Sequence, residues 1–232
     1  MSNRIVYLDN NATTQVAPEV LDAMMPFFKD HYGNPSSIYR FGGNVKRHVE
    51  KAREQVADLL GADPEEIIFT SCGSESDNLA LKGFQAVHGF KTKIVTSTVE
   101  HPAVRNTSRY LKEKGAALLE LTVDGNGMLK NDCIESAYID EHTIVSLMWA
   151  NNETGVMFPI KELAQKVKSL GGTFHTDAVQ AVGKIPINLK EIPVDMLALS
   201  GHKLHAPKGI GAAYVRKGTE IENLIHGGHQ EE

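Results

Sequence analysis

The feature that most constrains this chain is a rhythm. Short apolar or β-branched runs, each about one buried strand long, alternate with stretches of helical spacing. The runs are Ile67-Ile68-Phe69-Thr70, Lys93-Ile94-Val95-Thr96, Ala117-Leu118-Leu119-Glu120-Leu121, Ile144-Val145-Ser146-Leu147-Met148-Trp149, Thr173-Phe174-His175-Thr176 and Met196-Leu197-Ala198-Leu199. Several lack polar alternation, as strands covered on both faces do. Between them, Glu75 to Val87 and Pro102 to Lys114 carry apolar residues at helical spacing, and Pro102 suits a first helical position. Pro159 to Leu170 reads likewise and stops at Gly171-Gly172, a C-terminal cap signal. The alternation predicts an α/β domain with a mostly parallel sheet. Ile210 to Val215, after the Gly209 turn, reads as an antiparallel strand.

Upstream, Pro18 to His31 and Val45 to Leu60 have amphipathic helical spacing and are joined by turn formers, Tyr32-Gly33-Asn34-Pro35-Ser36-Ser37. Residues 1–15 read as an arm and residues 16–232 as one domain. Met1-Ser2-Asn3-Arg4 leads straight into a strand-like segment with no apolar h-region, which argues against secretion. After Val215 the chain turns polar, and His226-Gly227-Gly228-His229-Gln230-Glu231-Glu232 carries no cap or closing element, so it reads as an interruption. With 41% hydrophobic and 23% charged residues among 232, the chain is globular and long enough for a substantial core. A net charge of −5 with scattered Lys and Arg gives no footprint for nucleic acid. No apolar run approaches the roughly 18 residues a bilayer span needs. Two cysteines, Cys72 and Cys133, cannot build a disulfide framework or a cysteine-rich metal site. A reducing, cytoplasmic setting is the expectation.

In open α/β sheets ligands bind beyond the carboxyl ends of the strands. The first run is followed by Ser71-Cys72-Gly73-Ser74-Glu75-Ser76-Asp77-Asn78, a small hydroxylated turn entering a helix. Such a turn can offer backbone N–H groups and a hydroxyl to a phosphate. On this stretch alone the more common reading is an ordinary cap at Ser74 with Asp77 completing a capping box. After the second run comes Glu100-His101-Pro102, whose histidine suits an acid/base group, a stacking ring or a satisfied loop residue. The fourth ends in Ala150-Asn151-Asn152-Glu153-Thr154-Gly155, where paired asparagines suit either a turn or a site. The fifth ends in Asp177, with Gln180 on the first helical turn expected behind it, and a carboxylate buried there must have a partner. The sixth ends in Ser200-Gly201-His202-Lys203, an unusual setting for a merely solvating lysine. An anion-binding turn, a histidine platform, a carboxylate and a lysine nucleophile together are what pyridoxal phosphate requires. A metal held by His175, Asp177, His202 and His205 is a weaker alternative, and no metal is expected.

These segments, with Tyr7-Leu8-Asp9-Asn10-Asn11-Ala12-Thr13-Thr14 and Leu204-His205-Ala206-Pro207-Lys208-Gly209, run in order along nearly the whole chain. In them the chain resembles the class V aminotransferase-like, fold-type I enzymes, and within these the cysteine desulfurases of the NifS/IscS type. The Thr70-Ser71-Cys72-Gly73 and Met148-to-Gly155 wording is closest to the nitrogen-fixation type. The resemblance implies a three-layer α/β/α large domain that binds pyridoxal 5'-phosphate, and a homodimer when complete. It implies Lys203 as the Schiff-base lysine and His101 as the ring-stacking residue that assists proton transfer. Asp177 would pair with the pyridine nitrogen and Gln180 with the phenolic oxygen. Gly73, Ser74, Ser200 and His202 would hold the phosphate, and Asn152 would lie near the phenolic oxygen and the substrate carboxylate. Ser74 stands where most relatives have Thr.

The implied reaction takes sulfur from L-cysteine, releases L-alanine and leaves a persulfide on an enzyme cysteine. The sulfur then goes to an iron–sulfur scaffold or another acceptor protein, in relatives of the nitrogen-fixation type for nitrogenase. The resemblance also implies parts this chain lacks: the downstream persulfide cysteine, the substrate-carboxylate arginine, a phosphate hydroxyl from the dimer partner and the C-terminal small domain. Neither Cys72 nor Cys133 matches the family nucleophile. The alternatives are another class V enzyme, an aminotransferase or a selenocysteine lyase, and a cofactor-binding fragment without turnover of its own.

Overall fold

The computed structural model describes residues 6–89, 91–130, 132–228 and 231. The expectations for Met1-Ser2-Asn3-Arg4 and for His229-Gln230 lie outside the described residues. Residues 6–17 form no helix or strand. Then come α1 (Pro18–Lys29), α2 (Arg40–Leu60), β1 (Ile67–Thr70), α3 (Gly73–Val87), β2 (Lys93–Ser97), α4 (Pro102–Glu113) and β3 (Ala117–Leu121). The chain continues with β4 (Thr143–Ser146), α5 (Ile160–Ser169), β5 (Thr173–Asp177), β6 (Met196–Ser200) and β7 (Gly211–Val215). The strands form one sheet in the order β1-β7-β6-β5-β4-β2-β3. Strands β2 to β6 pair in parallel, and β7 runs antiparallel between β1 and β6.

Strand alternation divides the apolar side chains between two layers. Val95, Val145, Phe174 and Leu197 face one side, where Ala57 and Leu60 of α2 and Ile160, Ala164 and Val167 of α5 complete the larger cluster. Ile94, Ile144 and Met196 face the other, against Ala80, Leu81 and Phe84 of α3 and Val104 and Leu111 of α4. The register agrees, with Ile94 opposite Ile144 and Val95 opposite Val145. The result is the three-layer α/β/α arrangement with a mostly parallel sheet.

Local chemistry sets the helix ends. Pro102 opens α4, with His101 as its cap. Gly61 ends α2 at φ 63°, and a Cβ there would meet Asn188 Oδ1 at 2.4 Å. Gly171 follows α5 at φ 88°. The strand-like segment expected after Arg4 is no strand over residues 6–17, and three further details differ from the sequence expectation. Helix α2 begins at Arg40 rather than Val45. Strand β4 ends at Ser146, yet the N–H groups of Leu147 and Trp149 still donate to His175 and Asp177 carbonyls at 3.1 and 2.9 Å. The extended backbone therefore carries Met148 and Ala150 up to the carboxyl edge. Residues 179–184 form successive turns rather than a helix, so Gln180 sits on a turn.

Candidate active site

Beyond the carboxyl ends of β1, β2, β4, β5 and β6 lies a cavity of about 440 Å³, a typical size for a small-molecule site. Gly73, Ser74, His101, Asn152, Asp177, Gln180, Ser200, His202 and Lys203 all line it. The ends of five strands, β1, β2, β4, β5 and β6, deliver them, and Asp9, Asn11 and Ala12 of the arm join them, which is why residues 130 positions apart in sequence share one wall.

The start of α3 forms one side. Its first helical bond runs from Ser76 N–H to the Cys72 carbonyl (3.2 Å), so the N–H groups of Gly73 and Ser74 precede any intrahelical acceptor. Ser74 is the second residue of the helix rather than its cap, and Cys72 occupies the cap position. Glu75 reaches back instead, accepting the Ser71 N–H at 2.8 Å. A Cβ on Gly73 would lie 2.7 Å from Val179 Cγ2 and 3.4 Å from Ser200 Cβ, so the absence of a side chain lets α3 approach the ends of β5 and β6. Ser200 is 3% exposed, and its hydroxyl has no hydrogen-bond partner. Free helix-start N–H groups beside an orphaned buried hydroxyl suit an oxyanion such as a phosphate.

Asp177, 6% exposed, ends β5 and accepts the Val179 N–H at 3.0 Å. Burial pushes its pKa up, while the Val179 bond and the charges of His101 and Lys203 pull it down. Such a carboxylate is suited to a cationic N–H partner in the cavity. His101 Nδ1 accepts the Ala103 N–H at 3.1 Å, which leaves the neutral ring's proton on Nε2.

Lys203 closes a short 3-10 turn at Gly201–Lys203. Its Nζ donates to the carbonyls of Asn11 and Ala12, the latter at 2.7 Å. Burial, then the nearby Lys184 charge, lowers its pKa, the direction a nucleophilic amine needs. Gln180 spans the same arm, donating to the Asn11 carbonyl at 2.9 Å and accepting from Lys184 at 2.6 Å. His202 Nδ1 lies 3.1 Å from Thr13 Oγ1, and burial followed by the Lys203 and Lys208 charges lowers its pKa.

The paired asparagines divide the two readings between them. Asn151 is the turn-former: its Oδ1 accepts the N–H groups of Glu153 and Thr154 at 3.0 and 2.9 Å, and its amide donates to the Val99 carbonyl at 3.1 Å. Asn152 lines the cavity, donating to Glu153 at 2.7 Å. The four residues weighed as metal ligands do not gather. His175 faces Ser146, His202 faces Thr13, and His205 Nδ1 lies 3.0 Å from the Gln15 carbonyl.

Sequence reasoning missed Asp77, Asp9 and the carbonyls of Asn11 and Ala12. For Asp77 a signal existed. It shares the 73, 76, 77, 80, 84 face of α3 with buried Gly73, Ala80 and Phe84, where an ionisable residue is out of place. Backbone carbonyls leave no such trace in sequence.

Comparison with known proteins agrees with the geometry. A cysteine desulfurase of Trichormus azollae is 53% identical over 227 residues, covering 98% of this chain and 57% of the relative. A solved NifS-like protein superimposes with a TM-score of 0.93 at 45% identity, covering 97% of this chain and 63% of that one. SspA in complex with cysteine gives 0.93 at 40% identity, covering 97% and 66%. The chain thus spans about 57% of the length of the curated relatives it matches. Among the described residues no helix is long and apolar enough to cross a membrane. The family model for aminotransferase class V matches residues 6–232, and the chain belongs to that family.

Proposed function

We propose that this protein binds pyridoxal 5'-phosphate and serves a cysteine desulfurase, with L-cysteine as substrate and an iron–sulfur scaffold or another sulfur acceptor as protein partner. The observation that carries the reading is the convergence, in one cavity, of Lys203, the buried Asp177 and the anion-ready start of α3 beside Ser200. Curated relatives at about half identity bear the name cysteine desulfurase, and one similar structure was solved with cysteine.

The bound cofactor supplies an electron sink for charge that develops at an amino acid's α carbon. The chain's own residues do the rest. Lys203 Nζ would provide the attachment point and a base for the substrate's α proton. Asp177, staying anionic, would hold a proton on the ring nitrogen. The Nε2–H of His101 would move a proton to or from substrate. Gly73 and Ser74 N–H groups, with the Ser74 and Ser200 hydroxyls and His202, would hold the phosphate. Gln180 and Asn152 would orient the phenolic oxygen, and Asn152 would also meet the substrate carboxylate. Residues 1–15 act as an arm on a cofactor domain of residues 16–232, and a homodimer is the assembly proposed. Two free cysteines suit a reducing compartment, so the cytoplasm is the proposed location.

The positions of the two thiols favour a second reading, cofactor binding without sulfur transfer by this chain itself. Cys72 stands in the cavity wall at the start of α3, and Cys133 lines a separate hollow beside β3, where burial pushes its pKa up. A reactive thiol needs the opposite shift.

The test is direct. Protein loaded with pyridoxal phosphate is reduced with borohydride and digested, and the label is located by mass spectrometry. Labelling of Lys203, with loss of visible absorbance in Lys203→Ala, is expected; labelling elsewhere or no loading sinks the cofactor assignment. Alanine and sulfide release from L-cysteine then separates the two readings.

A further inference from the structure

In the floor of the cavity lies a carboxyl group to which the mechanism above gives no task. Asp77 is 1% exposed. A carboxyl oxygen of Asp77, one of Asp177 and a ring nitrogen of His101 all lie within 4.8 Å of one another. Asp77 Oδ1 has no hydrogen-bond partner and faces His175 Nε2 at 3.6 Å, which is also unpartnered. His175 is fully buried on β5, two residues before Asp177, and its Nδ1 lies 2.8 Å from Ser146 Oγ.

Two buried carboxyl groups this close do not both ionise, so the pair keeps a proton. Their surroundings are unequal. Asp177 has the Val179 N–H and faces Lys203 and His101. Asp77 is buried without a cation beside it and faces Asp177, which does not welcome a second negative charge. Its remaining neighbour, His175, is no counter-charge, because burial holds its pKa near 3. We propose that Asp77 is a positioning residue for Asp177: as the neutral acid of the pair, it keeps the negative charge on Asp177, the member that faces Lys203 and His101, and packs beside that carboxylate. With His175 Nδ1–H donating to Ser146, its Nε2 turns a lone pair toward Asp77 Oδ1 at 3.6 Å, beyond hydrogen-bond distance, so that side too offers nothing to an ionised Asp77. The inference rests on the reading that Asp177 holds the protonated ring nitrogen.

The experiment has two arms. Infrared spectra of the protein before cofactor addition are expected to show two protonated carboxyl bands at neutral pH, of which Glu100→Gln removes one and Asp77→Asn the other. In Asp177→Asn the Asp77 band should titrate at lower pH, because the neighbouring charge is gone. The second arm uses pyridoxal phosphate carrying 15N in the ring. Asp77→Asn, neutral by construction, should keep the native ring-nitrogen resonance and a cofactor Kd within about threefold. Asp77→Ala leaves a void beside Asp177 and should loosen the cofactor by roughly tenfold and move the resonance toward the unprotonated ring.

If Asp77→Asn removes no acid band, Asp77 is ionised and the proposal fails. It fails also if Asp77→Ala keeps the native Kd and resonance, whatever happens to its thermal stability. Should the alanine variant not fold, the asparagine variant decides alone, since tenfold looser binding there would mean that a charge is required. Failure of the native protein to load cofactor would overturn the reading of the site, and the infrared arm would still decide the state of Asp77.

Discussion

Thr14 binds the arm to the lysine turn through His202: its hydroxyl donates to the His202 carbonyl at 3.0 Å, and its N–H reaches the same oxygen at 2.9 Å. The hydroxyl also accepts the His205 N–H at 2.9 Å. His205 adopts φ 59°, an unfavourable region for a residue with a side chain, so the turn needs such outside support. The arm therefore shapes the site that Lys203 occupies. Thr14→Val keeps the volume and removes the hydroxyl, leaving the His205 N–H without its acceptor. A loss of about 1–3 kcal/mol is expected, read as a lower urea midpoint with unchanged slope, together with weaker cofactor binding. An unaltered midpoint would show that the clamp carries no load.

Asp177→Asn replaces the proposed ring-nitrogen partner with an amide of the same shape. A hydrogen bond to a charged group contributes about 1.5–3 kcal/mol, so the cofactor Kd should rise by roughly 10- to 150-fold. The chain's one tryptophan, Trp149, follows the cavity residue Met148 and provides the signal, as fluorescence quenching during titration. The folded state should not suffer, because removing a buried charge offsets the lost bond. Native affinity in this variant would take Asp177 out of the cofactor's reach.

Much of this site was legible because strand ends are easy to find and site chemistry collects there. Asp177, Ser200 and Lys203 stand directly after apolar runs, and all three line the cavity. The asparagine pair was legible only as a pair, since which member builds the turn depends on hydrogen bonds that sequence does not specify. Asp77 was hidden by a plausible local role: three residues after Ser74 it mimics a capping box, while its burial arises from β5 and β6 packing on α3. The arm's part was hidden for a different reason. Lys203 meets backbone carbonyls of Asn11 and Ala12, and a carbonyl is the same at every residue.

Gly73→Ala tests the close approach at the anion-binding turn. The added methyl meets Val179 and Ser200, short side chains with little room to give. Overpacking of this kind costs about 1–3 kcal/mol, and the displaced helix start should lose affinity for inorganic phosphate as well as for cofactor. Gly172→Ala is the control for packing alone. Its Cβ would lie 2.5 Å from Ile139 Cγ2 and 2.9 Å from Val167 Cγ1, neither of them a cavity residue. It should destabilise the protein and leave phosphate affinity unchanged. Phosphate affinity that falls in Gly172→Ala but not in Gly73→Ala would contradict the assignment of the turn.

Glu100 offers a test in pH. It is 4% exposed, and Ser97 Oγ donates to its Oε1 at 2.6 Å while Oε2 has no partner. Burial pushes its pKa from 4.5 up to about 8, against the opposing bonds from Ser97 and Met148. A carboxyl raised in the folded state favours folding fully below its unfolded pKa, and that contribution is lost as pH rises through the folded value. Between pH 4.5 and 8 the unfolded chain gives up this proton and the folded one keeps it, which lowers stability by a few kcal/mol. Glu100→Gln keeps the acceptor for Ser97 and cannot ionise in either state. Its urea midpoint should therefore match the parent near pH 4.5, exceed it at pH 8, and vary less between the two. A variant that tracks the parent at both pH values would mean that Glu100 is ionised in the folded protein.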